Sequence, residues 1–173
     1  MQEYQRLKYE IFGREFSWPI NALPGTGRAE LDPFDTPAHF VIARTIEGSA
    51  IGCARAMALK VGFPHQQLLA PLLQQLGRDQ GECGTLNSVA ISRRWRGRAP
   101  DGAMAKSPDT VAAMIVQECH AHFLGLGLST CVLTTTEIVA DRFFSPLGYV
   151  ASGSPFSSGM YSASLVNMHR ALR

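Results

Sequence analysis

TLNSVAISRRWRGRAPDGAMAKSPDTVAAMIVQECHAHFLGLG, residues 85–127, reads as strand, basic loop and helix in succession. Residues 85–92 are apolar and β-prone enough for a strand. Residues 93–106 set Arg93, Arg94, Arg96 and Arg98 among glycines and a proline, the composition of a basic loop. Ser107-Pro108-Asp109 then spells a helix start. It offers a hydroxyl as N-cap, a proline whose missing N–H is harmless in the first turn, and a carboxylate near the positive end of the dipole. Val111, Ile115, Cys119, Phe123 and Leu126 recur at helical spacing, and Gly125 or Gly127 ends the run.

Working outward, residues 129–136 (STCVLTTT) form a β-type run, 137–148 (EIVADRFFSPLG) a short helix, and 149–152 and 160–172 two closing strands. Upstream, residues 38–47 and 49–59 are β-type runs broken at Glu47-Gly48-Ser49, a hairpin signal. Residues 66–77 look helical, with Pro71 expected to kink or divide them. Residues 3–13 place Tyr4, Leu7, Ile11 and Phe12 at helical spacing, and the Pro- and Gly-rich stretch 17–33 predicts a long loop. The order α–β–β–α–β–α–β–α–β–β predicts a mixed α/β sheet. At 173 residues the chain fits one domain, 1–173, with a single core.

Composition narrows the classes. Hydrophobic residues make up 46% and charged residues 17%, a globular balance. A net charge of +2 argues little for nucleic acid, and the arginine patch has no interleaved aromatic beyond Trp95, so no nucleic-acid partner is expected. No apolar run reaches the roughly 20 residues that span a membrane. The N-terminal MQEYQRLKYEIF lacks the apolar core of a signal peptide. Cys53, Cys83, Cys119 and Cys131 are scattered without a CxxC pair, which predicts reduced, buried thiols in a cytoplasmic protein. His120 and His122 stand two apart on a helix and cannot share one face, so no metal is expected.

The approach to the first strand is crowded: AELDPFDTPAHFVIAR, residues 29–44, brings Glu30, Asp32, Asp35 and His39 together. Asp32 and Asp35 could be turn residues whose side chains cap backbone N–H groups, or a functional pair. His39 could relay a proton near neutral pH or merely pack at a strand start. Arg55 is sharper, since an arginine inside the apolar run GCARAMAL needs a buried partner. Glu82, before the central strand, is a further candidate base or a solvated loop residue. Trp18 either lines a pocket or anchors the loop.

The order of elements resembles the GNAT acyltransferase superfamily. VAISRRWRGR resembles that family's strand and phosphate loop for coenzyme A, and ADRFFSPLGY its late helix and following strand. The front half is similar to the acyl-homoserine-lactone synthases and related N-acyl amino acid synthases. KYEIFGREFSW resembles their first helix and tryptophan, LDPFD an Asp-x-x-Asp signature, and AIGCARAMAL a strand ending in Gly-Cys-Ala-Arg-Leu. The fold so implied is α/β, with a GNAT-like mixed, mostly antiparallel central sheet flanked by helices. The family's strand before the first helix has no counterpart here, so either it is absent or the chain is shortened.

The resemblance implies an N-acyltransferase moving an acyl group from acetyl-CoA, a longer acyl-CoA or an acyl carrier protein to a small-molecule amine. It places Val89, Ala90 and Ile91 along the donor, with Arg96, Gly97 and Arg98 at its phosphates. It sets Asp32 and Asp35 facing Arg55 as catalytic residues and puts Phe144 against substrate; the residues' own chemistry adds Glu82 as a candidate catalytic base and Trp18 and His39 as candidate substrate contacts. A homodimer and a carrier protein are the protein partners it implies. Departures are specific. Ala99 and Asp101 replace glycines of the usual phosphate loop, Phe144 stands where a tyrosine protonates the leaving thiolate, and Thr85-Leu86-Asn87-Ser88 lacks the lactone synthases' glutamate. These leave two alternatives: an autoinducer synthase of the lactone type, or a domain that binds acyl-CoA without turnover.

Overall fold

The computed structural model describes residues 1–63, 65–106, 109–158 and 163–172. The expected cap Ser107-Pro108 and the start of the last expected strand, residues 160–162, lie outside the described residues.

Helix α1 (Gln2–Lys8) passes directly into a π-helical segment, Tyr9–Glu15. The single helix expected over residues 3–13 is therefore two windings. The Phe16 N–H reaches back five residues to the Ile11 carbonyl at 3.0 Å, the wider turn that periodicity alone does not disclose. Tyr4, Leu7, Ile11 and Phe12 are all buried, as their spacing requires. The expected long loop holds one small ribbon, β1 (Ala22–Leu23) with β2 (Arg28–Ala29).

Strands β3 (His39–Arg44) and β4 (Ala50–Ala58) form the expected antiparallel hairpin. Its turn is closed by the Thr45 N–H donating to Ser49 and by Gly48 at φ 89°. Residues 66–77 divide: a 3₁₀ turn (Gln66–Leu69) precedes α2 (Ala70–Leu76). Pro71 thus opens the α-helix rather than kinking it, because a first-turn proline sacrifices no hydrogen bond.

Strand β5 (Cys83–Ile91), helix α3 (Val111–Gly125) and strand β6 (Thr130–Thr136) follow. The expected short helix over 137–148 is composite: α4 (Glu137–Val139), a π turn (Ala140–Phe144) and a 3₁₀ turn (Ser145–Leu147). Strands β7 (Val150–Phe156) and β8 (Leu165–Ala171) complete the chain.

The main sheet has six strands in the order β3-β4-β5-β6-β8-β7. The β3/β4, β6/β8 and β7/β8 pairs are antiparallel, and β5/β6 is parallel from Cys83↔Thr130 to Thr85↔Val132. The fold is thus a mixed, mostly antiparallel sheet with flanking helices.

Two compact units divide the chain: residues 1–56 with 87–119, and residues 57–86 with 120–173. The first unit packs Tyr4, Leu7, Ile11 and Phe12 against Ala50, Cys53 and Ala90. Gly52 lets β4 lie close to β5 and α3, since a Cβ there would stand 2.7 Å from the Ile91 side chain and 2.9 Å from that of Ile115. In the second unit Gly84 faces the Phe123 ring, which a Cβ would meet at 2.7 Å. All four cysteines are buried, and none forms a disulfide among the described residues. Among the described residues no helix is long and apolar enough to cross a membrane.

Candidate functional site

Arg55 lies within β4, and its side chain is only 3% exposed. Its Nη1 donates to Asp32 Oδ1 and Oδ2, both at 2.8 Å, and to Asp35 Oδ1 at 2.7 Å. Lys8, from the end of α1, brings a second cation. Its Nζ stands 3.3 Å from Asp32 Oδ2 and 3.6 Å from Asp35 Oδ2. Two carboxylates are matched by two cations, which is how four charges can be taken largely out of water.

The local chain explains the placement. Asp32-Pro33-Phe34-Asp35 makes a tight turn in which the Asp35 N–H donates to the Asp32 carbonyl at 2.9 Å. Asp32 Oδ1 accepts from the Phe34 N–H at 2.9 Å, and Asp35 Oδ2 from the Asp32 N–H at 2.8 Å. Each carboxylate supports the turn and also meets Arg55. Their exposures differ. The Asp35 side chain is wholly buried, while that of Asp32 is 31% exposed and is the one open to solvent. Burial pulls the Asp32 pKa upward, but hydrogen bonding and charge from Arg55, then Lys8, hold it below the usual carboxylate range. Burial disfavours the Arg55 cation, yet hydrogen bonds to Asp32 and Asp35 and the charge of Asp32 keep its pKa raised.

Tyr4 lies fully buried over the same cluster. Burial drives its phenol well above the usual tyrosine range, against the opposing charge of Arg55. The Ser88 side chain approaches that phenol without meeting hydrogen-bond geometry. Ser88 sits at φ 52°, a left-handed residue inside β5 that interrupts the strand's alternation of faces. Nothing in TLNSVAIS marks that kink, because serine gives no warning of a positive φ.

The other expected residues are distributed as follows. His39 is exposed and pairs across the hairpin with Ala56, while Phe40 stands opposite Arg55. Trp18 stacks on Phe12 with centroids 5.0 Å apart and rings 14° from parallel, and is 48% exposed. Ala90 and Ile91 are buried and Val89 half-buried, and all three lie beyond the last β5/β6 pair at Thr85. Gly97 takes φ 65° in the loop, and Arg98 donates to the Gly102 carbonyl at 2.7 Å. Arg96 is fully engaged by Glu15 and the Ile91 carbonyl. Phe144 is buried, edge-on to Tyr149 at 5.1 Å. Glu82 lies in the second unit, where it pairs with Arg78 at 2.8 Å; the Asp32–Asp35–Arg55 cluster belongs to the first.

Sequence reading passed over one further group. In the second unit the His120 Nε2 and the Tyr149 hydroxyl are 2.6 Å apart, and that hydroxyl is 3.1 Å from Cys131 Sγ. Burial, then the charge of Arg170, lowers the His120 pKa to about 4, so this histidine is neutral at physiological pH. Only its position on the buried stripe of α3, one residue after Cys119, hinted at this. Among the described residues no cluster of three or more His, Cys, Asp or Glu is placed to hold a metal.

No family model matches the chain, and no curated protein matches it in sequence. Solved structures do match in fold. The CoA-dependent acyl-homoserine lactone synthase BjaI, solved with SAM and isopentyl-CoA, superposes with a TM-score of 0.72 at 17% identity, over 99% of this chain and 75% of that one. TofI, in a ternary complex with an inhibitor and MTA, gives 0.71 at 16% identity over 99% and 83%. FeeM, an N-acyl amino acid synthase from uncultured soil microbes, gives 0.67 at 16% identity over 98% and 89%.

Proposed function

We propose that residues 1–173 act as a single GNAT-like N-acyltransferase domain. It moves an acyl group from a thioester, either acyl-CoA or an acylated carrier protein, to the amine of a small molecule. The observation that carries this reading is the charge-balanced Arg55–Asp32–Asp35–Lys8 cluster. It lies in a chain that shares its fold with acyl-homoserine lactone synthases and an N-acyl amino acid synthase.

An amine reaches the site protonated and must lose that proton before it attacks a thioester. Asp32 is suited to receive it through water, being ionised and partly open to solvent. Asp35 and Arg55, both buried, hold Asp32 in position, and Lys8 completes the charge balance. The nitrogen lone pair then forms the amide bond as the carbon–sulfur bond breaks, and the nitrogen's second proton passes to the departing thiolate. Strand N–H groups around Val89 to Ile91 would hold the developing oxyanion. Water carries that proton to the thiolate.

The acceptor is an amine other than S-adenosylmethionine in this reading, because Thr85-Leu86-Asn87-Ser88 carries no glutamate. Lactone formation by purified protein would reverse that preference. The test of the donor is thermal stabilisation by free coenzyme A, acetyl-CoA, octanoyl-CoA and an acylated carrier protein. A raised Tm with one of them supports the reading, its identity defining the acyl length, and no shift with any rejects it.

A further inference from the structure

The guanidinium of Arg96 is held from three directions. Nη1 and Nη2 meet the Glu15 carboxylate at 2.5 and 2.8 Å, and Nε donates to the Ile91 carbonyl at 2.9 Å. Its face lies over the Phe16 ring, 5.2 Å from the centroid. Glu15 ends the π-helical segment, and Phe16 and Trp18, centroids 6.0 Å apart, follow it on the half-exposed side. The hydrogen bond from Arg96, opposed by desolvation and joined by the charges of Arg96 and Arg93, holds the Glu15 pKa below the usual carboxylate range. One carboxylate thus sits among the arginines of the basic loop, in the planar two-oxygen geometry by which a guanidinium also takes a phosphate.

We infer that Glu15 is an internal competitor for the donor's phosphates. It occupies the Arg96 fork when no donor is bound, and a thioester diphosphate displaces it. This rests on the donor reading proposed above. Displacement frees the end of the π-helical segment and loosens Phe16 from Arg96, so donor binding is coupled to the aromatic segment that ends in Trp18. The half-exposed pair, 30% for Glu15 and 37% for Arg96, is a contact that an anion can reach and exchange.

The test is calorimetric affinity for free coenzyme A in four proteins: the unaltered chain, Glu15→Gln, Arg96→Ala and the double variant. Competition predicts that Glu15→Gln binds about fivefold more tightly, equivalent to about 1 kcal/mol. In the Arg96→Ala background the same change should give less than about a twofold gain, since the competed fork is gone. Equal gains in both backgrounds would mean only that a negative charge was removed, and would overturn the inference, as would no gain. Binding by none of the four proteins would instead reject the donor reading. If Glu15→Gln fails to fold, Trp18 emission in a Trp95→Phe background carries the test. Coenzyme A should increase its quenching by acrylamide, and unchanged quenching on saturation overturns the coupling.

Discussion

Arg55 shows how much one side chain can disclose. A cation inside an apolar strand must be paired, and the resemblance to the lactone synthases, not the burial of Arg55, points to Asp32 and Asp35 as its partners. Arg55→Ala leaves the Asp35 carboxylate buried with only Lys8 beside it, at a cost of about 3–5 kcal/mol. Urea denaturation should read this as a lowered midpoint. Asp32 predicts the acid limb. Its folded pKa is depressed, so its stabilisation is fully present above the unfolded carboxylate value near 3.8 and is lost as pH falls through the lower folded value. Asp32→Asn should therefore flatten the fall in Tm below about pH 4.5, and an unchanged acid limb would mean Arg55 does not hold that carboxylate. The Glu15–Arg96 pair was not legible in the same way. Its members are 81 residues apart and half-exposed, and no burial cost demanded that either find a partner.

At the scale of elements, hydrophobic spacing located the hairpin, β5, α3 and β6 because each buries a face with a regular period. Spacing did not locate the π turns at Tyr9–Glu15 and Ala140–Phe144, since one added residue per turn leaves the apolar stripe nearly intact. Backbone strain at Ser88 was equally silent. Ser88→Gly should be neutral or stabilising, and Ser88→Val should cost about 1–3 kcal/mol, because φ 52° suits glycine and not a β-branched residue. Chemical denaturation of the two variants checks this order, and equal stability would contradict it. His120 ties α3 to Tyr149 and gives a separate pH signature. A histidine held at about 4 is neutral in the fold and protonated in the unfolded chain between there and its ordinary 6.5. Stability from this group is complete above pH 6.5 and is lost as pH falls toward 4. Replacing His120 by Asn should remove that slope of Tm with pH, and a slope that persists would assign it elsewhere.

For the whole molecule, the proposal of acyl transfer rests on a fold shared with acyl-homoserine lactone synthases and on the ion cluster of the first unit. The order of elements could be anticipated because each is amphipathic by itself. Their division into two units could not, since it depends on pairings between distant segments. The most direct measurement of the central claim is mass-spectrometric detection of an amide product. Purified protein would be given acetyl-CoA or octanoyl-CoA with a panel of small amines, beside the Arg55→Ala variant. The account predicts an amide with release of free thiol, reduced at least about tenfold in Arg55→Ala. No amide from any pairing, although a thioester raises the Tm, would contradict catalysis and leave a domain that only binds its donor.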